Sequence, residues 1–120
     1  MPLRESRGRL DAARAETSVL DRELELARDT IGIEVRDAMS AVQAAGENVA
    51  LAREGAEIAE AVRDGERSRF DGGLTTLFIV NLREAAAAEA RAREIDALVE
   101  LATAHALFEA VTAQLSRQSQ

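Results

Sequence analysis

The sequence predicts an all-α protein, folded as a long antiparallel two-helix coiled-coil hairpin. Three observations support this fold class. The 120 residues include one proline and only three aromatic residues, whereas strands and thick globular cores are usually rich in aromatic side chains. Small and apolar residues recur every seven positions, which is the repeat of a coiled coil. A single pair of glycines near the middle interrupts the pattern, as a turn between two helices requires.

The first helix is expected over about residues 3–69, a stretch without proline. At 1.5 Å per residue it would be roughly 100 Å long. A companion row of apolar residues changes phase after Ile31, which resembles a stutter that locally relaxes a supercoil. The main row is Leu3, Leu10, Thr17, Leu24, Ile31, Ala38, Ala45, Ala52 and Ala59, and its companion is Ala13, Leu20, Ala27, then Val35, Val42, Val49 and Ala56.

The turn is expected over about residues 70–75, because Gly72 and Gly73 can adopt the positive φ that ends a helix. Arg67 and Arg69 lie where the negative end of the helix dipole favours cations. Thr75 is the expected N-cap of the returning helix.

The second helix is expected over about residues 76–116, with more apolar surface than one seam needs. One face carries Phe78, Ala85, Ala92, Val99, Ala106 and Ala113 beside Ala88, Ile95 and Ala102, and another carries Leu98, Leu101, Phe108 and Leu115. This helix would end opposite about residue 28, which leaves about 25 residues of the first helix unpartnered. We therefore expect contacts with neighbouring chains, and a hairpin that is a fragment of a larger protein.

Four glycines fall inside the first helix: Gly32, Gly46, Gly55 and Gly65. Each costs about 1 kcal/mol relative to alanine in an exposed helix. Either the helix tolerates them, or some of them mark close approach by a neighbouring helix.

No residue pattern indicates an enzyme, a cofactor or a metal site. The single histidine, His105, has no second histidine or cysteine with which to bind a metal. The carboxylates alternate with arginines, as on a solvated helix surface. A net charge of −7 argues against nucleic-acid binding. Residues 1–5 lack the apolar run of an export signal, and no stretch approaches the roughly 20 apolar residues of a membrane span.

The segment from Glu66 to Glu84 resembles the periplasmic tip of TolC-family outer-membrane efflux proteins. In that family a helix ends in the pattern E-x-x-R-[FY]-x-x-G-x-x-[ST], followed by an apolar start to the returning helix. The residues that match at those spacings are Glu66, Arg69, Phe70, Gly73 and Thr76. Upstream, the residues from Ile33 to Ala38 are similar to the family's I-x-x-E-V-x-x-A stretch, with either Ile31 or Ile33 as its first residue.

The resemblance implies one of the two periplasmic hairpins in each subunit of a homotrimeric export tunnel anchored in the outer membrane. The partners would be adjacent hairpins of the same protein and a periplasmic adaptor, the membrane fusion protein of a tripartite pump. The tip that would contact the adaptor consists of Arg69, Phe70, Gly72, Gly73, Leu74, Thr75 and Thr76.

Two other functions remain open at this point. The hairpin of an adaptor protein also pairs two long helices, although the strand-rich flanks of adaptors are not evident here. A general coiled-coil oligomerisation or scaffold module would explain the seven-residue repeats. It would not explain why residues 69–76 match the tip pattern of the TolC family.

Overall fold

The computed structural model describes residues 2–120 and contains two helices joined by a tight turn. The first helix, α1, spans Pro2–Asp71, and the second, α2, spans Leu77–Gln118. The helices pack antiparallel against each other, and residues 2–120 contain no strand. The predicted hairpin is therefore confirmed. The long dimension of the molecule, 107 Å, is the length of α1.

The turn is shorter than predicted and begins two residues later. The expected turn of residues 70–75 included Phe70, but α1 continues through Phe70 and Asp71. Among residues 2–120 the one positive φ, 73°, belongs to Gly73. A helix ends where its backbone leaves the right-handed region, so the second glycine sets the boundary and the first does not.

The seam on α1 follows the row expected from the sequence. Its buried apolar members are Ile31, Ala38, Ala45, Val49 and Ala56, of which Ala56 is completely buried. Most of these side chains are alanines, so the two backbones approach closely along a thin core. The predicted small-residue seam of α1 is confirmed.

The seam on α2 differs from both faces singled out in the sequence. The buried residues are Val80, Ala87, Ala90, Glu94 and Ala97, with Leu101, Ala104, Phe108 and Val111 half-buried beyond them. The face headed by Phe78 is exposed throughout, and of the second face only Leu101 and Phe108 contribute to the seam. Position 94 falls on the buried row but holds a glutamate, and this charge hid the seven-residue row from sequence reasoning.

The first part of α1 has no partner in the hairpin. Residues 2–30 are all exposed, and Ile31 is the first buried residue. The end of α2 lies beside this point, since Gln114, Arg117 and Gln118 share a shallow cleft with Ala27 and Ile31. The expected overhang is confirmed. We refer to residues 2–30 as the overhang.

The glycines inside α1 do not serve to let α2 pack more closely against α1. A Cβ atom built on Gly32, Gly46, Gly55 or Gly65 would meet no other group within 4 Å. Close packing within the hairpin therefore does not explain these glycines.

Candidate functional site

Backbone hydrogen bonds at the end of α1 hold the turn, and two of them surround Gly73. The amide of Gly73 donates to the carbonyl of Phe70 at 2.9 Å, and the amide of Leu74 donates to the carbonyl of Arg69 at 2.8 Å. This pair of bonds around a left-handed glycine is a Schellman motif. It satisfies carbonyl groups that the helix end would otherwise leave unpaired.

The N-cap of α2 is Thr76, and the prediction of Thr75 was wrong by one residue. Thr76 has an extended backbone, with φ −105° and ψ 155°, and its side chain accepts a hydrogen bond from the amide of Ile79 at 3.4 Å. The hydroxyl of Thr75 instead donates to the Glu66 carboxylate at 2.5 Å. The two threonines therefore hold the turn in different ways.

Glu66 is the buried polar centre of the tip. It is 7% exposed, and its two carboxylate oxygens accept hydrogen bonds from the Thr75 hydroxyl and, at 3.4 Å, from the Arg69 guanidinium. Glu66 belongs to the motif identified in the sequence but was not predicted as a site residue. The signal was present, because Glu66 lies seven residues after Ala59 on the seam row.

The predicted tip residues come together, and the apolar ones point into solvent. Phe70 is 41% exposed and Leu74 is 71% exposed. The first turn of α2 adds two residues that were not assigned to the tip, Leu77 at 57% and Phe78 at 70% exposure. The tip thus presents four large apolar side chains around a hydrogen-bonded turn. We call Phe70, Leu74, Leu77 and Phe78 the apolar tip.

Ion pairs connect the two helices below the tip. Arg67 pairs with Glu84 at 2.6 Å, and Arg91 pairs with Glu60 at 2.6 Å. Further along, Arg53 pairs with Glu94 at 3.1 Å. These contacts flank the seam and bring opposite charges together only when the helices run antiparallel in this register.

Glu94 occupies a seam position and is satisfied by two arginines. It is 6% exposed, and it accepts hydrogen bonds from Arg53 on α1 and from Arg91 on its own helix. The hydrogen bond from Arg53 is the largest cause that lowers the pKa of Glu94, followed by the hydrogen bond from Arg91. Glu94 therefore stays ionised within the seam.

Each helix also carries an exposed row of small and apolar residues away from the seam, interrupted on α1 by the polar Asn48. We call these rows the outer stripes. The outer stripe of α1 was not recognised from the sequence, although its members are spaced alternately by three and four residues: Ala41, Ala44, Asn48, Leu51, Gly55, Ile58, Val62 and Gly65. The outer stripe of α2 is the exposed face headed by Phe78, with Ala85, Ala88, Ala92, Ile95, Val99, Ala102, Ala106 and Ala113.

The single histidine is the remaining residue that the sequence analysis considered as a metal ligand. His105 lies on the exposed surface of α2. Within residues 2–120 no three histidine, cysteine or acidic side chains are grouped so that they could hold a metal ion. Within residues 2–120, neither helix contains a stretch that is long and apolar enough to cross a membrane.

Comparisons of the chain with known protein families, with curated proteins and with solved structures found no match.

Proposed function

We propose that this hairpin is a segment of the periplasmic tunnel of a TolC-like outer-membrane efflux channel. Its tip docks on a periplasmic adaptor protein, which connects the channel to an inner-membrane pump. The intact channel is a homotrimer in this proposal, and the hairpin contributes structure and contact surface without catalysis.

The observation that carries the proposal is the apolar tip. The end of a hairpin that contacts only water is normally polar. A group of large apolar residues exposed at such an end therefore marks an interaction site. Here Leu74 and Phe78 are about 70% exposed, at 71% and 70%. The Schellman motif and Glu66 fix the backbone beneath them, so binding requires little ordering of the turn. This arrangement fits a docking end, and the motif from Glu66 to Thr76 supports the family.

The outer stripes support the tunnel part of the proposal. In a closed ring of helices each helix contacts two neighbours, and the seam of the hairpin supplies only one of these contacts. The outer stripes give α1 and α2 a second apolar surface each. Their small residues, including Gly55 and Gly65 on α1, allow a neighbouring helix to approach closely. A hairpin that functioned alone would have no use for two such stripes.

The test is a binding measurement between the 120-residue chain and a purified adaptor hairpin, by surface plasmon resonance. We expect weak binding, because one tip buries little area and the native contact is multivalent. Leu74→Glu and Phe78→Glu add a charge to the apolar tip without touching a buried residue, so each should abolish binding. Their helical content by circular dichroism should stay unchanged.

Ile33→Glu is the matched control. Ile33 is 57% exposed on α1, far from the turn, so a glutamate there adds the same charge to the chain away from the tip. Binding that survives Ile33→Glu and disappears with the tip variants supports the proposal. If the wild-type chain does not bind at about 1 mM, where even an affinity of roughly −4 kcal/mol would be detected, the proposal fails.

A further inference from the structure

The two outer stripes match each other when their residues are counted outwards from the turn. Gly55 is 20 residues before Thr75, and Ile95 is 20 residues after it. Every residue of the α1 stripe from Ala44 to Gly65 has a counterpart of this kind on the α2 stripe. Two seven-residue rows can match in spacing at many levels, but here the match falls where two turns lie side by side.

The ion pairs of the hairpin show that residues equally far from the turn lie at one level along the helices. Arg67 pairs with Glu84, and Arg91 pairs with Glu60; in both pairs the two distances from Thr75 differ by one residue. If two hairpins stand side by side with their tips at the same end, α1 of one copy runs antiparallel to α2 of the other. The residues of the α1 stripe then meet their counterparts on the α2 stripe.

The sizes of these counterparts are complementary, because large residues on one stripe have small counterparts on the other. The three pairs are Ile58 with Ala92, Val62 with Ala88, and Ile95 with Gly55. In the single hairpin Ile58, Val62 and Ile95 are 58%, 44% and 57% exposed, so each has side-chain surface left to bury. Two α1 stripes packed in parallel would instead place isoleucine against isoleucine and glycine against glycine. Interdigitated packing therefore favours the pairing of unlike stripes.

This pairing accounts for Gly55, which packing within the hairpin does not explain. A Cβ atom built on Gly55 meets no other group within 4 Å, and a glycine costs about 1 kcal/mol relative to alanine in an exposed helix. Gly55 lies in a shallow cleft that Leu51 and Ala86 also line. The Ile95 side chain of a neighbouring hairpin would fill this space. Among residues 2–120 no ion pair involves a residue of either stripe, so no such contact has to break.

We propose that the outer stripe of α1 in one copy of the hairpin packs against the outer stripe of α2 in a second copy, with the helices antiparallel and both tips at the same end. Ile95 of one copy then covers Gly55 of the other. The interface joins two different surfaces, so a pair of hairpins keeps one free stripe at either side, and further copies add until a ring closes. The inference deepens the proposed function and rests on it for the identity of the neighbour, a second hairpin of the same channel.

Disulfide cross-linking of the full chain tests this pairing. The chain contains no cysteine, so cysteines introduced singly report contacts between copies. The four single variants are Ala44→Cys and Gly55→Cys on α1, and Ile95→Cys and Ala106→Cys on α2. Two variants at a time are mixed at roughly 500 μM and oxidised, and mass spectrometry distinguishes mixed dimers from dimers of one variant. A disulfide joins Cα atoms about 5.5–6 Å apart, so only cysteines that face each other are linked efficiently.

Two mixtures should give mixed dimers: Gly55→Cys with Ile95→Cys, and Ala44→Cys with Ala106→Cys. The two crossed mixtures should give only the background of random collisions, because their cysteines lie about 16 Å apart along the helices. If the stripes paired with the helices parallel and the tips at opposite ends, the crossed mixtures would be linked instead. That result, a predominance of dimers of one variant, or the absence of cross-links from every mixture would overturn the inference.

An exchange of side-chain size tests the contact between residues 55 and 95. Gly55→Leu fills the space above α1, and Ile95→Ala removes the side chain that should occupy this space. Each substitution alone should decrease the cross-linking of Ala44→Cys with Ala106→Cys, and both together in each chain should restore it. Neither substitution touches a buried residue, so the helical content by circular dichroism should stay unchanged. A double variant that is linked no better than the single ones would show that the two residues do not meet.

Two controls separate this inference from the proposed function. Leu74→Glu at the tip should leave the cross-linking pattern unchanged, and Gly55→Leu should leave the binding of a single hairpin to the adaptor unchanged. The predicted cross-links without adaptor binding would refute the docking of the tip and leave the pairing of the stripes intact. Adaptor binding without the cross-links would refute the pairing alone.

Discussion

Replacing Gly65 by alanine should stabilise the hairpin. Gly65 lies in the interior of α1, exposed to solvent, six residues before the helix ends. A Cβ atom built at this position meets no other group within 4 Å. Alanine therefore adds its higher helix propensity without a steric cost.

The expected gain is about 1 kcal/mol in the free energy of unfolding, the difference between glycine and alanine inside an exposed helix. Gly55 has the same open surroundings and lies ten residues away. At a separation of roughly 15 Å along the helix the two effects should add, to about 2 kcal/mol for the double variant. For a chain of this size, each substitution should raise the melting temperature by about 4 °C.

Gly73→Ala is the opposing control. Gly73 has a φ of 73°, in the left-handed region, where a Cβ atom costs roughly 1–2 kcal/mol. The same chemical change should therefore stabilise the chain at residue 65 and destabilise it at residue 73. Urea denaturation followed by circular dichroism, at a concentration where the chain is monomeric, measures both.

A neutral or destabilising effect of Gly65→Ala would refute the reasoning. It would mean that α1 is not a regular exposed helix at this point, or that another chain already packs against the glycine. The second cause can be recognised by a stability that depends on protein concentration. Because Gly55 and Gly65 lie on the outer stripe of α1, the stabilised double variant should also assemble less well into any ring of hairpins.

Three further predictions concern the seam and the tip. Ala56 is completely buried, so Ala56→Leu should lower the free energy of unfolding by about 1–3 kcal/mol, as measured by urea denaturation. Ala50→Leu on the exposed surface should leave the free energy of unfolding nearly unchanged. Thr75→Val removes the hydroxyl that donates to the buried carboxylate of Glu66 and should cost about 1–2 kcal/mol, while Thr75→Ser should retain most of the stability. The pKa of Glu94 is lowered in the folded hairpin from an ordinary value of 4.5. The stabilisation from ionised Glu94 is therefore fully present above that value and is lost as the pH falls through the folded pKa. The urea concentration at the denaturation midpoint should decrease below about pH 4.5. The decrease should be smaller in Glu94→Gln.

The seam of α1 could be predicted from the sequence because its row is uniformly small and apolar. On α2 the row headed by Phe78 is more apolar than the true seam, and pattern reasoning has no means of ranking two apolar faces. The true seam contains Glu94, a residue that looks exposed until Arg53 of the other helix is placed beside it. Long-range partners of this kind decide burial, and a single sequence does not contain their positions.

The turn shows the same limit on a smaller scale. The two glycines located it, but either glycine could have adopted the positive φ. Adjacent threonines likewise offered two possible N-caps. The choice of Thr76 follows from Glu66, which takes the hydroxyl of Thr75. The functional expectation came from the residues between Glu66 and Thr76, and its test requires a partner molecule.

Glu66 separates the shape of the tip from its chemistry. The path of the chain around the bend depends on a carboxylate inside the hairpin and on main-chain hydrogen bonds, and the apolar side chains that face outwards make none of these bonds. Leu74 and Phe78 could therefore be exchanged for quite different residues without altering the bend. The same turn could in this way carry many different contact surfaces. Substitutions of the outward side chains could then change what the hairpin binds without changing its fold.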